Sequence, residues 1–289
     1  MTTVTVLGLG PMGRALAGAF SGSCSTTVWN RTPGKGDLLD VEVAGSAGEA
    51  IRAGELVVVC LADYRVAGSV LDAGALQGRT LVNFCGGSPR EAREMAAWAR
   101  EKGVDYVDGV IVSTPEAIGG AEAALYYSGP RDVFEAHRAT LAALGEGFYL
   151  GEEPGRAAAY DVSLQDMLWT SMSGAAHMFA LAAAEGITAA DIAGHAKAML
   201  GFFPDMIDML AEQVDSGRFP GDVVTVASSA AIMDRILSTV RERGLGDGAL
   251  GAARAEAGRA IDAGHGADGF GRLAVGWRRP ARPPLVRPT

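Results

Sequence analysis

Apolar positions follow two different rhythms along this chain. Up to about residue 150, short apolar runs alternate with mixed, helix-like stretches. Val4–Leu9, Thr26–Trp29 and Val41–Ala44 read as strands. Leu56–Leu61 and Leu81–Cys85 are almost wholly apolar, as strands covered on both faces are. Tyr106–Ile111 and Ala124–Ser128 add two more. Met12–Phe20, Ala47–Ala53 and Pro89–Lys102 lie between them with helical spacing. This alternation predicts a parallel sheet with helices on both faces.

After about Gly151 the strand signal stops. Ala157–Glu185 is one long apolar-rich stretch with a single interior glycine, Gly174. As one helix it spans about 43 Å, at about 1.5 Å per residue. That length suits a connector between domains or an element of an oligomer interface. Ala189–Leu200, Pro204–Ser216, Val223–Arg243 and Leu250–Ala263 read as further helices. The last stretch, 278–289, has four arginines, four prolines and no acid, and reads as a disordered tail. The expected organisation is an α/β domain over 1–153, a connecting helix over 154–186, a helical domain over 187–277 and the tail.

Composition narrows the partners. The chain has 289 residues and a formal charge of −9, with no basic stripe for nucleic acid or for an anionic membrane surface. No uncharged apolar run reaches the roughly 20 residues of a membrane span. The N-terminal residues MTTVTVLGLG lack the basic start of a signal peptide. Three cysteines without C-x-x-C or Cys/His spacing support neither a disulfide framework nor a metal site, and predict a reducing, cytoplasmic setting. Only three lysines are present: Lys35, Lys102 and Lys197.

The first strand runs into Gly8-Leu9-Gly10-Pro11-Met12-Gly13, a G-x-G-x-x-G that opens a helix. In a dinucleotide-binding turn, Gly8 permits the tight bend, Gly10 lets backbone approach a pyrophosphate, and Gly13 lets helix pack on strand. The helix N-terminus then presents free N–H groups to the phosphates. At the end of the second strand, an NAD-binding version carries an acid for the ribose 2′-hydroxyl. This chain has Asn30-Arg31-Thr32 with Lys35 close behind, and no carboxylate in that turn. Arg31 and Lys35 suit a 2′-phosphate, and Asn30 and Thr32 offer neutral hydrogen bonds, so NADPH is favoured over NADH. Leu61-Ala62 and Cys85-Gly86-Gly87 end later strands and reach the cofactor by position.

A reductase also needs a second wall and often a proton source. On the long helix, Asp161 and Trp169 are eight residues apart and share a face. A carboxyl there can protonate a substrate nitrogen or stabilise an iminium cation, and Trp169 can border an apolar substrate. The competing reading of Asp161 is an acid placed near a helix start by the macrodipole. His177 reads as a packed helix residue.

The stretches GLGPMGRALA, NRTPGK, VDGVIVSTPEAIG, YYSGPRDVFEAH, EPGRAAAYDVSL, DSGRFPGD and AGHGADGF are spread over nearly the whole chain. Together they resemble the NADPH-dependent imine reductases of the β-hydroxyacid dehydrogenase superfamily, the 6-phosphogluconate dehydrogenase-like group. The resemblance implies an N-terminal Rossmann domain, a long interdomain helix and an all-α C-terminal domain. Dehydrogenases of the superfamily place a catalytic lysine near the start of that helix, whereas no lysine lies between Lys102 and Lys197 here. In the imine reductases Asp, Tyr or Asn takes that place after a Tyr, and Tyr160-Asp161 matches. The implied activity is hydride transfer from NADPH to the C=N carbon of cyclic imines, with Asp161 as catalytic residue. The implied assembly is a homodimer with exchanged helical domains and shared active sites. Phe202, Phe203 and Met233 are then pocket candidates by position. Gly86 stands where a polar residue is common in the family, which removes one hydrogen-bonding side chain from the substrate side. Another NADP-dependent dehydrogenase of the superfamily and a non-catalytic dinucleotide-binding protein are the alternatives. In a fluorescence titration NADPH is expected to bind with a lower Kd than NADH. The reverse order contradicts the reading of Asn30–Lys35.

Overall fold

The computed structural model describes residues 2–37 and 39–277. The tail expected over 278–289 lies outside the described residues. Two compact units divide the chain, Met1–Asp166 and Met167 onward.

In the first unit β1 (Thr3–Leu7) leads into α1 (Pro11–Ser21), then β2 (Ser25–Trp29) and the short β3 (Glu42–Val43). Next come α2 (Ala47–Ala53), β4 (Leu56–Val59), α3 (Tyr64–Val70), β5 (Thr80–Asn83), α4 (Pro89–Glu101) and β6 (Asp105–Ile111). β7 (Ala124–Ser128), α5 (Arg131–Leu141) and β8 (Glu146–Tyr149) close it. The sheet order is β3-β2-β1-β4-β5-β6-β7-β8. The expectation of a parallel sheet needs one correction: β7 runs antiparallel to β6, with Asp108 opposite Ser128. The loop from Val112 to Ala123 returns the chain directly, where a parallel neighbour needs a crossover helix. β8 then pairs parallel to β7 after the α5 crossover.

Local chemistry sets the boundaries. β4 is buried at all four positions, as its Leu-Val-Val-Val sequence demands of a central strand. It stops at Val59, short of the expected Leu61, because Cys60 and Leu61 form the turn that packs over Gly8. β5 stops at Asn83, whose side-chain oxygen accepts from Cys85 N–H at 3.4 Å. Ser88 and Glu91 form a reciprocal cap at the start of α4, with Pro89 in the first turn. One face of the sheet packs Val4, Val6, Leu16, Phe20, Tyr127 and Phe134. The other packs Leu7, Ile51, Val57, Leu81, Met95 and Tyr106.

α6 (Arg156–Ala184) is the expected long helix, continuous over 29 residues. Its first turns belong to the first unit. Ser128 Oγ donates to Pro154 C=O at 2.9 Å and accepts from Ala157 N–H at 3.0 Å, pinning the helix start to the end of β7. Arg93 pairs with Glu153 at 2.7 Å, just ahead of it.

The second unit contains the rest of α6 with α7 (Ala189–Leu200), α8 (Phe203–Ser216), α9 (Val226–Glu242), α10 (Gly248–Asp262) and α11 (Leu273–Gly276). α9 begins at Val226, later than the expected Val223, because Thr225 and Ser228 cap each other's backbone. Its small core is Val226, Ala230, Ala257 and Leu273. His177 behaves as the packed residue expected: its Nε2–H donates to Gly246 C=O at 2.9 Å and ties α6 to the turn before α10. α6 is apolar nearly all round, a composition that belongs in a core. Yet Leu168, Trp169 and Met172 stand exposed on it, and so do Met199, Leu200 and Ile207 on α7 and α8. Among the described residues, no helix is long and apolar enough to cross a membrane.

Phe134 is fully buried between the rings of Tyr127 and Tyr149, each 5.1 Å away. Phe134→Ala is expected to lower unfolding free energy by about 3–5 kcal/mol, measured by urea denaturation.

Candidate functional site

The glycine turn is built by contacts that leave no room for side chains. Gly8 has φ +100°, and a Cβ there meets the Cys60 carbonyl oxygen. A Cβ on Gly13 meets the Gly8 carbonyl oxygen. Gly10 differs: no protein atom lies within 4 Å of its Cβ position, so that side of the turn is open for a ligand. Pro11 occupies the first turn of α1, where its missing N–H costs nothing.

Asn30 holds this turn to the second strand end. Its side-chain oxygen accepts from Leu9 N–H at 2.9 Å, and its amide donates to Thr32 C=O at 2.9 Å. Asn30 is therefore a brace between the two loops as well as a wall. Leu9, Asn30, Arg31, Thr32, Lys35 and Asp37 line a cavity of about 570 Å³ beside the turn. Asp37 corrects the expectation that no carboxylate faces this place: Asn30–Lys35 lacks one, but the loop brings Asp37 to the same wall. Arg31 and Lys35 still outnumber it. The cavity lies at the carboxyl ends of β1 and β2, where open α/β sheets bind ligands.

The two later strand ends come together beside it. Leu61 N–H donates to Cys85 Sγ at 3.4 Å, joining the segments after β4 and β5. Burial pushes the Cys60 thiol up to about 11 and the Cys85 thiol up to about 12. Both stay protonated packing groups at neutral pH. Ala62 precedes Asp63, whose carboxylate caps α3 by accepting from Val66 N–H at 2.7 Å.

One buried carboxylate in this region is not among the expected site residues. Asp108 on β6 is fully buried, and its Oδ1 accepts from Tyr64 Oη at 2.6 Å and Tyr106 Oη at 2.8 Å. Burial pushes its pKa up to about 6, while the hydrogen bonds from Tyr64 and Tyr106 work the other way. Its only signal in the sequence is an acid inside the apolar run Tyr106–Ile111.

Asp161 stands on α6 within the first unit, in the second turn of the helix. No acid lies in the first turn, so the macrodipole does not account for it. Burial raises its carboxyl pKa, and a hydrogen bond with Gln165 opposes the shift. Tyr160 beside it meets the Tyr126 ring edge-on at 6.0 Å. Trp169, Phe202 and Met233 belong to the second unit and stand on separate elements: α6, the N-cap of α8, and α9. Trp169 is 68% exposed and Phe202 48%.

Among the described residues, no group of three or more His, Cys, Asp or Glu is arranged to hold a metal. A larger cavity of about 730 Å³, lined by Arg93, Arg100, Asp105 and Tyr106, sits at the amino end of β6. That is the opposite end of the strands from the glycine turn, and ligands of such sheets do not bind there.

A strand–glycine turn–helix unit with a basic cavity at the second strand end defines a dinucleotide-binding protein. Comparison with known proteins narrows the class. Residues 3–151 match the NAD binding domain of 6-phosphogluconate dehydrogenase. Residues 153–279 match the C-terminal domain of NADPH-dependent reductive aminase-like proteins. An NADPH-dependent reductive aminase of Aspergillus oryzae is 28% identical over 280 residues, covering 93% of this chain and 95% of that protein. The structure of an imine reductase from Bacillus cereus is 37% identical with a TM-score of 0.87, covering 95% of this chain and 98% of the other. That of an imine reductase from Myxococcus stipitatus in complex with NADP+ is 33% identical with a TM-score of 0.91, covering 96% and 100%. The chain belongs to the NADPH-dependent imine reductase and reductive aminase family.

The glycines separate two kinds of loss. Gly10→Ala is expected to keep the melting temperature and lose about tenfold or more in NADPH affinity, since only the ligand meets the new methyl. Gly13→Ala is expected to lose both, because the turn itself must shift. Calorimetry with fluorescence titration measures the pair.

Proposed function

We propose that Asp161 is the catalytic carboxyl of this chain, an NADPH-dependent oxidoreductase that reduces C=N bonds of small-molecule imines. NADPH, when bound, supplies the hydride. The observation that carries the reading is a half-buried carboxyl on α6 with raised pKa, in the place where related dehydrogenases need a lysine that this chain lacks.

The chain's own residues divide the remaining work. Gly8–Gly13 with the α1 N-terminus receive the pyrophosphate, and Leu9, Pro11 and Met12 carry the backbone that does so. Arg31 and Lys35 take the 2′-phosphate, with Thr32 and the brace Asn30 shaping the cavity. Leu61, Ala62 and Cys85 form the floor at the nicotinamide end. Asp161 either gives a proton to the substrate nitrogen or, ionised, stabilises the iminium cation. Its raised pKa keeps the proton to higher pH than an exposed aspartate does, which suits the first role. Trp169, Phe202 and Met233 border the substrate.

A second copy of the chain completes the site in this reading. Trp169, Phe202 and the apolar surface of α6, α7 and α8 are more exposed than a finished apolar pocket allows. A homodimer with exchanged helical domains covers them. The three unpaired cysteines fit a cytoplasmic setting. The residue spans 1–153, 154–186 and 187–277 then serve as cofactor domain, connecting helix and dimerisation domain.

Asp161→Asn and Asp161→Ala are expected to lower kcat on a cyclic imine by about 10²-fold or more, with NADPH affinity kept. Unchanged kcat in both removes Asp161 from the chemistry. The pH profile assigns its role: proton donation makes the rate fall as pH rises through the Asp161 pKa, and iminium stabilisation makes it fall as pH drops. Light scattering is expected to give about twice the 29.7 kDa chain mass.

A further inference from the structure

We infer that Asp108 is a positioning residue for hydride transfer, its carboxylate locking the two strand-end segments that shape the nicotinamide end of the cofactor site. This rests on the proposed placement of the nicotinamide beside Leu61, Ala62 and Cys85. Asp108 itself is fully buried behind the site. It acts through what its oxygens hold.

The first arm is Tyr64, the opening residue of α3, whose Oη donates to Oδ1 at 2.6 Å. Tyr64 follows Leu61-Ala62-Asp63 directly, so fixing its ring fixes where that segment ends. The ring also serves as a platform: a Cβ on Gly87 falls 2.5 Å from Tyr64 Cδ2, so the backbone of the second segment lies flat against it. The second arm is Asn83, paired with Asp108 across the sheet. It lies beside Asp108 on the neighbouring strand, and its side-chain oxygen accepts from Cys85 N–H at 3.4 Å, which ties the start of the second segment to this part of the sheet. Phe84 completes the lock by lying over Gly109, where a Cβ falls 2.5 Å from the ring. Both segments therefore refer their positions to one buried group.

The arrangement is costly as mere packing. Asp108 Oδ2 and Asn83 Nδ2 are both buried without a hydrogen-bond partner. Burial raises the carboxyl pKa to about 6, above the value of an exposed aspartate. For an acid this sign means that ionisation works against folding: stability is lost as pH rises through the interval between the unfolded and folded values. The titratable groups facing Asp108 are Tyr64 on α3, Tyr106 on β6, Cys85 after β5 and Glu153 ahead of α6. Ser128 faces it from β7. None is a cation that offsets the charge. A carboxylate held at such cost, beside a ligand site, fits a positioning role.

Protonation undoes the lock in a defined way. A neutral carboxyl is a weaker acceptor than a carboxylate, so protonation loosens the bonds from Tyr64 Oη and Tyr106 Oη. The Tyr64 ring, and the Gly87 backbone that lies against it, are thereby coupled to the ionisation of Asp108.

Tyr64→Phe and Asp108→Asn in the full-length chain test this. Tyr64→Phe keeps the ring platform and removes one bond that stabilises the carboxylate. NADPH affinity is followed by nicotinamide fluorescence from about pH 5 to 8. The cofactor's own 2′-phosphate titrates near 6, as phosphate monoesters do, so the readout is the difference between variant and wild type. Wild type is expected to weaken on the acid side. Tyr64→Phe moves that limb to higher pH, and Asp108→Asn keeps only the part that the phosphate contributes. On a cyclic imine both variants lose about tenfold or more in kcat, with KM for the imine changed by no more than about threefold. A limb identical in all three proteins overturns the inference, and so does loss of kcat that merely parallels loss of melting temperature. Wild type that binds NADPH but reduces no imine defeats the proposed function alone, since the binding limb still reports on Asp108.

Discussion

The turn between β1 and α1 exists because two residues lack side chains at points of backbone contact. A Cβ on Gly13 meets the Gly8 carbonyl oxygen, and a Cβ on Gly8 meets that of Cys60. These contacts draw the N-terminus of α1 against the ends of β1 and β4. Other site features follow from that approach. Leu9 N–H is presented to Asn30, which brings the second strand end alongside. Cys60 and Leu61 leave the strand early to cover the turn, so Leu61 N–H reaches Cys85 Sγ. One steric constraint thus lines up four strand ends, those of β1, β2, β4 and β5, at a single edge of the sheet.

α6 obeys a different economy. Its start is fixed by polar bonds at Ser128 and by the Arg93–Glu153 pair, and its first turns bury Ala157 and Ala158. Beyond Asp161 it carries apolar residues on most sides, and Leu168, Trp169 and Met172 among them stand exposed. A helix of that composition is stable in water only when something packs on it. Asp161 therefore stands at the boundary between a well-anchored segment and one whose apolar residues are exposed.

How much of this was legible in the sequence depends on what each signal encodes. β4 could be read because four apolar residues in a row have few other uses, and α4 because Ser88, Pro89 and Glu91 mark its start. The glycine turn could be read because its geometry admits almost no other residues. Strand direction could not, since β7 reads the same forwards or backwards. β8 escaped notice because Glu146-Gly147-Phe148-Tyr149 lies at the sheet edge and is only half buried. Asp37 was passed over because it lies beyond the turn in sequence and beside it in space. Asp108 hid for the opposite reason: a period-based reading treats one acid in an apolar strand as noise, and only its two tyrosine partners give it meaning. Trp169 follows from its spacing to Asp161 on one helix, whereas Phe202 and Met233 rest on resemblance, because no local spacing links residues on different helices.

The two cysteines at the strand ends carry a practical consequence. With its thiol raised to about 11, Cys60 is ionised at pH 7 in about one molecule in ten thousand. Cys85 is ionised less still. Thiolate is the nucleophile, so these groups behave toward electrophiles almost as methyl groups do. The ends of β4 and β5 can hold sulfur for its bulk and polarizability without exposing the chain to oxidants or alkylating agents. It follows that protection by cofactor against a thiol reagent reports nothing about this site, and that the partly buried Cys24, away from it, is the position open to selective labelling.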